Sequence, residues 1–487
     1  MTRSFASSAI LLSLLFTFTG CGSGGEDAGP VPVPSPAPAP APSSCGLTTR
    51  VSVDSNGAQA NGLSDRPSLS ADGRYVAFEG ANASNLVPGD TNGVADVFVK
   101  DRQTGITTRV SVDSAGTQSN NGSAFASLSA DGRFVAFQSI ASNLVAGDTN
   151  DTIDVFVHDR DADGNGVFDE PGATTTTRVS VSSSGMEGNA FSGAPSLSAD
   201  GRSVAFFSGA SNLVGNDTNG VIDVFVHDRQ TGNTTRVSVA SAGGEGNADS
   251  TSPALSTDGR FVAFVSAASN LVAGDTNGAL DVFIHDRDAD GNGVFDQPGA
   301  ITTTRVSVDT AGAQGNSNSG ARGSDQDRFI SADGRFITFD SAASNLVPGD
   351  TNGLADVFLH DRQTGATTRV SVGSTGTQAY GISFSPQISP DGRFVVFGSL
   401  ASNLVAGDTN GFADVFVHDR QTGATTRVSL SSDCAQGNNH SAQGDAGFEP
   451  PALSADGRFV AFASFASNLV PADTNQFWDI FVHDRTP

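Results

Sequence analysis

Tryptophan occurs once in this 487-residue chain and tyrosine twice, against 33 phenylalanines. Phenylalanine has no polar handle, so the aromatic stock suits a core rather than hydrogen-bonded rims. Basic residues are few, 26 against 52 acidic, for a net charge of −26. That balance argues against nucleic acid or anionic lipid as a partner. It suits a soluble exported protein able to take cations. The one apolar segment near the start, 9–18, is too short to cross a bilayer, and no later segment is long and apolar enough. No stretch of useful length carries helical periodicity. Cysteine occurs three times, at Cys21, Cys45 and Cys434.

What is present is one phrase in seven copies: TTRVSV, then DGR with an apolar run, SNLV, DTN, and DVFVHDR. Its TTR arginines are Arg50, Arg109, Arg178, Arg236, Arg305, Arg369 and Arg427, spaced by 59, 69, 58, 69, 64 and 58 residues. A period this long, made of strand-like pieces, marks a repeat architecture. In the first full copy a strand begins at Pro67 and ends in the Asp72-Gly73 hairpin signal. Arg74 to Glu79 returns as a nearly continuous apolar strand, covered on both faces. After the connection 81–95, Asp96 to Asp101 forms a third strand. Thr107 to Asp113 forms a fourth, its β-branched residues favouring extended backbone.

Four antiparallel strands per repeat, arranged radially, predict an all-β, single seven-bladed β-propeller. A solenoid would show atypical capping repeats. The first segment, 48–54, is a lone fourth strand, and the last, 479–484, is a lone third strand. The offset predicts a ring closed by the N-terminal strand pairing into the last blade, leaving no exposed edges. The Ser-Pro/Ala-Asp-Gly-Arg turn, closest in Ser389-Pro390-Asp391-Gly392, and the Asp-Val-Phe-Val-His-Asp strand resemble TolB-type, WD-repeat-like propeller repeats over residues 48–487. The resemblance implies a fold shared by binding proteins and by non-catalytic domains of peptidases. TolB itself carries an extra N-terminal α/β domain, where this chain has a linker.

Residues 1–21 read as a lipoprotein signal peptide. Arg3 precedes a short apolar core, 9–18, and Phe18-Thr19-Gly20-Cys21 resembles a lipobox with Cys21 as the lipidated residue. Residues 22–47 form a tether rich in Pro, Ala, Gly and Ser. In polyproline II geometry its stretch 31–44 spans roughly 40 Å. Strand direction places the DGR hairpins on one face. The SNLV–DTN connections, and the long variable stretches 312–327 and 433–450, lie on the other, where binding is expected. The same sorting puts Cys45 and Cys434 at opposite ends of a strand, some 20 Å apart at about 3.3 Å per residue. A disulfide needs Cα atoms within roughly 7 Å, so the pair is expected to stay unbridged.

Two inserts, Asp161-Ala-Asp163-Gly-Asn165-Gly-Val167-Phe-Asp169 and Asp288-Ala-Asp290-Gly-Asn292-Gly-Val294-Phe-Asp296, resemble the first nine positions of an EF-hand loop. Side-chain oxygens at Asp161, Asp163, Asn165, Asp169 and at Asp288, Asp290, Asn292, Asp296, with the carbonyls of Val167 and Val294, suit Ca²⁺. Gly172 and Gly299 replace the bidentate glutamate, which predicts weak, structural sites. The recurrent Asp90, Asn92 and Asp96 read as Asx turns and a strand cap. The TTR arginines and the Asp101-Arg102 type of pair read as surface or inter-blade ion pairs. His158, His227, His285, His360, His418 and His483, with Lys100 in the first copy, fall on separate blades and read as strand residues rather than metal ligands.

Catalysis has little to rest on. No Gly-x-Ser-x-Gly elbow is present. Tyr75 and Tyr380 are the only tyrosines for a sialidase-type nucleophile, and Ser-Ala-Asp-Gly differs in spacing from a sialidase Asp box. The expected function is non-catalytic: a monomeric, lipid-anchored propeller of the bacterial cell envelope, periplasmic or surface-facing. It touches the membrane only through its lipid and binds an envelope protein or glycan with its loop face. The alternative is a hydrolase or lyase acting on polysaccharide or peptide through channel carboxylates. A channel lined by paired carboxylates and an arginine would favour it.

Overall fold

The computed structural model describes residues 45–320, 329–444 and 447–486. The signal segment, Cys21 and the tether to Ser44 lie outside them. No helix among the described residues is long and apolar enough to cross a membrane.

Each copy of the phrase folds into one antiparallel sheet. In the first, Leu63–Leu69, Tyr75–Ala81, Asp96–Asp101 and Thr107–Arg109 pair in that order. The inner strand starts earlier than the sequence predicts and the outer strand is shorter. The second, third, fourth and sixth blades repeat this order. In the fifth, Phe336–Ser341, Asp356–Asp361 and Ala366–Arg369 form the sheet, and the bridges Ser319 to Ser341 and Ile330 to Ile337 mark the inner edge. In the seventh, Ala452–Leu453, Phe459–Ser464 and Asp479–Asp484 are completed by Leu47–Arg50, with Thr48 opposite His483 and Arg50 opposite Phe481. The ring closes as the strand offset predicts.

Blades pack because their middle strands are apolar on both faces. Phe137 and Phe156, 5.9 Å apart between ring centres, fill the second blade. They share one cluster with Tyr75, Val97 and Val99 of the first. The DGR turns knit the seams. Gly201 has φ +69°, and a Cβ there would sit 2.2 Å from Phe134 Cδ2 of the preceding blade, so both backbone and space demand glycine. Arg229 NH1 donates to Gly201 O at 2.7 Å, and its guanidinium stacks 4.4 Å over the Phe134 ring. Around the channel mouth, backbone bonds run from turn to turn: Ala71 N to Ala130 O at 2.8 Å, Ala130 N to Ala199 O at 2.9 Å, Ala199 N to Thr257 O at 3.0 Å, Ala332 N to Pro390 O at 2.9 Å, and Ala455 N to Ala71 O at 2.8 Å.

Cys45 and Cys434 form a disulfide, with Cα atoms 5.4 Å apart. This overturns the expected separation. Adjacent strands rotate by about 20–25°, so across four strands a blade turns by roughly 60–75°. The outer strand therefore runs along the rim, and the chain leaving it reaches the start of the next outer strand. Thr107 Oγ1 donates to Val53 O at 2.6 Å in the first blade. In the seventh, Thr48 N donates to Ser432 Oγ at 3.1 Å. Cys434 lies in that same crossing turn, beside the closure strand that Cys45 introduces. The bridge spans 389 residues and clamps the closure. A disulfide is the mark of an oxidising compartment, in keeping with an exported protein.

The double substitution C45S/C434S is expected to lower unfolding free energy by about 2–4 kcal/mol, read as a lower urea midpoint against the oxidised wild type. An unchanged midpoint would show that the seventh blade is held by its strand pairing alone.

Candidate functional site

What recurs in all seven blades is construction. In the first, the Asp96 carboxylate is fully buried. It accepts from Ser111 Oγ at 2.5 Å, Ser119 Oγ at 3.0 Å, Asn92 Nδ2 at 2.9 Å and Arg109 NH1 at 3.5 Å. Arg109 also reaches Asp90 at 3.1 Å. The TTR arginines are thus largely buried within their own blade, not on the surface or between blades. The register that sets Arg109 opposite Phe98 lays its guanidinium along the sheet toward Asp96. Asp101 and Arg102 do not pair with each other. Arg74 takes Asp101 in a two-pronged contact at 3.0 and 2.7 Å, while Arg102 donates to Gly73 O. Asp148, Asp154 and Glu187 are close enough together to suggest a cation site, but Arg178 NH1 sits among them at 3.2, 3.3 and 2.8 Å.

The six strand histidines are buried, each on its own blade. His158 Nδ1 lies 2.9 Å from Thr176 Oγ1, which donates to Val112 O of the preceding crossing. Lys100, the chain's one lysine, fills the same place, donating to Gly105 O at 2.7 Å and Asp54 O at 3.0 Å.

In the two inserts, Asx turns organise the loop. Asp161 accepts from Asn165 N at 3.0 Å and Gly166 N at 3.1 Å, Asp163 from Asn165 Nδ2 at 3.0 Å, and Asn165 Oδ1 from Val167 N at 2.7 Å. Asp169 is held by Arg160 at 2.9 and 2.5 Å. The fourth blade repeats this: Asp288 accepts from Asn292 N at 2.9 Å, Asp290 from Asn292 Nδ2 at 2.9 Å, Asn292 Oδ1 from Val294 N at 2.8 Å, and Arg287 holds Asp296 at 2.9 Å.

One cluster escaped sequence reasoning. The inner strand carries a bulge in five blades, with Arg66 at φ 50° and Phe125 at φ 59°. These bulges lie toward the loop-face end of the channel. There Arg66 NH1 meets Glu79 Oε2 at 3.2 Å, and its Nε meets Glu449 Oε2 at 3.3 Å. The guanidinium lies 4.1 Å over the Phe125 ring, and Phe125 N donates to Glu79 Oε1 at 2.5 Å. Asp65 adds a third buried carboxylate. Burial first, then the neighbouring Asp65, push the Glu79 carboxyl up to about 8, against the pull of Arg66. The signal in the sequence was a position where the copies disagree: Glu79, Gln138, Phe207, Val265, Asp340, Gly398 and Ala463. Gln138 serves its own seam, accepting from Ala194 N at 3.0 Å.

The loop face carries a second departure from the repeat. Asn120, Asn189, Asn247, Asn316 and Asn438 each tie down their loop; Asn120 Nδ2 donates to Ser142 Oγ and its Oδ1 accepts from Ser142 N, both at 3.0 Å. The sixth blade has Tyr380 there, 71% exposed. On the seventh blade His440 packs 4.9 Å from Phe412 and Phe465 packs 5.5 Å from Trp478, joined by Phe465 N to His440 O at 3.0 Å. Phe465 and Phe477 are both exposed.

An oligogalacturonate lyase in complex with manganese shares the architecture, with a TM-score of 0.51 at 14% identity, over 91% of this chain and 94% of that one. The fold is a seven-bladed propeller. TolB from Acinetobacter baumannii aligns with a TM-score of 0.35 at 16% identity, over 75% of this chain and 63% of TolB's length. An oligogalacturonate lyase from Vibrio parahaemolyticus aligns at 0.49 and 12% identity, over 90% and 93%. No family model and no curated protein matches the sequence. At these identities the likeness is one of fold alone.

The propeller therefore presents two chemically distinct places on one face: an aromatic surface over blades six and seven, and a buried carboxylate–arginine cluster at the channel. Its strand histidines are inert by comparison. Burial holds His158, His227, His285 and His483 down to about 4 from an ordinary 6.5. Their contribution to stability is fully present above pH 6.5 and is lost as pH falls toward 4, where the unfolded chain binds more protons. The imidazole NMR resonances of His158, His227, His285 and His483 are expected to titrate near pH 4 in the native propeller, and near 6.5 in the urea-unfolded chain. Native titration near 6.5 would place these rings in contact with solvent.

Proposed function

We propose that this propeller is a non-catalytic binding scaffold of the bacterial cell envelope. It is tethered by lipid at Cys21 and engages an envelope protein or glycan through the aromatic surface of its loop face. The observation that carries this is Tyr380. The position gives up the two side-chain bonds made by its counterparts in five other blades and exposes an aromatic ring, and Leu400 of the same blade is 38% exposed. A stability loss in exchange for an exposed aromatic is the pattern of a contact residue, since tyrosine and tryptophan anchor interfaces. The tether of 22–47 gives that face reach from the membrane.

Calcium in the inserts is part of the proposal. Asp161, Asp163, Asn165 and the Val167 carbonyl supply oxygens, as do Asp288, Asp290, Asn292 and Val294, and Asp169 and Asp296 join once released from Arg160 and Arg287. At 1 mM Ca²⁺ and a Kd of about 0.1–1 mM, each site adds roughly 0.4–1.4 kcal/mol. A rise in thermal midpoint with CaCl₂ that is lost in D161N/D288N checks it, and identical midpoints in CaCl₂ and EDTA would dismiss it.

The hydrolase or lyase reading draws on one observation, the neutral-leaning Glu79 beside Arg66 and Glu449. Turnover of an envelope polysaccharide or peptide that falls at least 100-fold in E79Q would support it.

For the binding reading, Y380N is expected to raise unfolding free energy by about 0.5–1.5 kcal/mol by restoring the loop bonds. The same variant should lose the partner enriched by wild type from native envelope extracts. Capture undiminished in both Y380N and Y380A/F465A would remove the aromatic surface from the function.

A further inference from the structure

The opposite, hairpin face carries a cup that none of the foregoing uses. At the channel mouth a cavity of about 270 Å³ is walled by Leu197, Leu255, Ile330, Ile388 and Leu453, with alanine methyls at its lip. Five of the lip amides, those of Ala71, Ala130, Ala199, Ala332 and Ala455, are spent on turn-to-turn bonds, and Pro390 has none to offer. What faces the cavity is therefore chiefly hydrocarbon. Deeper in, the channel narrows to about 20 Å³ of free space between Ser68, Ser127, Ser196 and Gln387.

Its rim is charged. Directly after each lip residue comes the turn aspartate: Asp72, Asp131, Asp200, Asp258, Asp333, Asp391 or Asp456. Asp131 accepts from Ser129 Oγ at 2.6 Å and Arg133 N at 2.9 Å, which fixes it at the turn. The neighbouring Arg133 is drawn outward to Asp159 at 2.7 Å. The same outward pairing recurs from Arg74 to Arg458. The seven turn aspartates thus flank the lip of an apolar cup, each one residue beyond it, while guanidiniums such as those of Arg102 and Arg229 meet the carbonyl of the following glycine.

We propose that this cup binds a small cationic amphiphile, a straight-chain primary alkylammonium whose tail enters the cavity and whose head meets the turn aspartates. A cavity of 150 Å³ holds benzene, so this one takes a tail of roughly eight to ten heavy atoms. The walls are branched side chains from five blades, Leu197 to Leu453, and a linear chain on the axis fits them.

The test is calorimetric titration of the full folded chain with butyl-, hexyl-, octyl- and dodecylammonium chloride below their micelle concentrations. Affinity should rise about fourfold per methylene up to octyl and then level off as the cup fills. Octyl sulfate should show no saturable binding. In D131N/D200N/D258N, where the amide oxygens keep the turn bonds, octylammonium should weaken about three- to tenfold. Ala199→Met and, separately, Ala130→Met place a side chain in the cup and should abolish binding with the thermal midpoint unchanged. Two results would overturn the proposal: equal affinity for octyl sulfate and octylammonium, or affinity independent of chain length. Undiminished binding in the folded methionine variants would overturn it as well.

Discussion

The fold depends on a buried carboxylate at the start of every third strand. Asp96 and its six counterparts sit where four pieces of chain meet: the third strand, the outer strand, the DTN loop and the crossing to the next blade. A carboxylate without partners in such a place would cost several kcal/mol. Here serine hydroxyls, an asparagine amide and a guanidinium converge on it. Arg109 and Ser111 come from the outer strand, Asn92 from the DTN loop and, in this copy alone, Ser119 from the crossing, so satisfying the charge fixes these pieces to the third strand. This is why Ser, Asp, Asn and Arg recur at these places as faithfully as the apolar residues.

The ring is a second constraint, because a blade has no stability apart from its neighbours. Each core cluster is built from two adjacent blades, and each DGR turn leans on an aromatic or serine of the blade before it. One open seam would expose core on both sides. The closure strand Leu47–Arg50 and the disulfide act at the same seam, where the chain's two ends meet.

Against this uniform background the departures are what the proposed function rests on. Tyr380 abandons a structural hydrogen-bond pair, and Glu79 and Arg66 put charge where most other blades put apolar or small residues. Tyr380 lies in a loop of the face that strand direction sorts apart from the hairpins, whereas Arg66 and Glu79 lie within strands. The number of blades, their strand order and the ring closure were all legible in the sequence, because hairpin signals and strand periodicity are local. The carboxylate–arginine cluster was not, since Arg66, Glu79, Phe125 and Glu449 come from the first, second and seventh blades and meet only when the ring has formed.

The two cysteines draw the same line. The sequence by itself determined that Cys45 precedes an outer strand and Cys434 follows one, because strand order is written in the repeat. Only the tertiary structure decided that they meet. Twist accumulates between hydrogen-bonded neighbours and turns the outer strand along the rim, and no spacing along the chain encodes that rotation. Likewise the aspartates of the DGR turns are visible as a repeat, but their gathering about one apolar cup is a property of sevenfold closure.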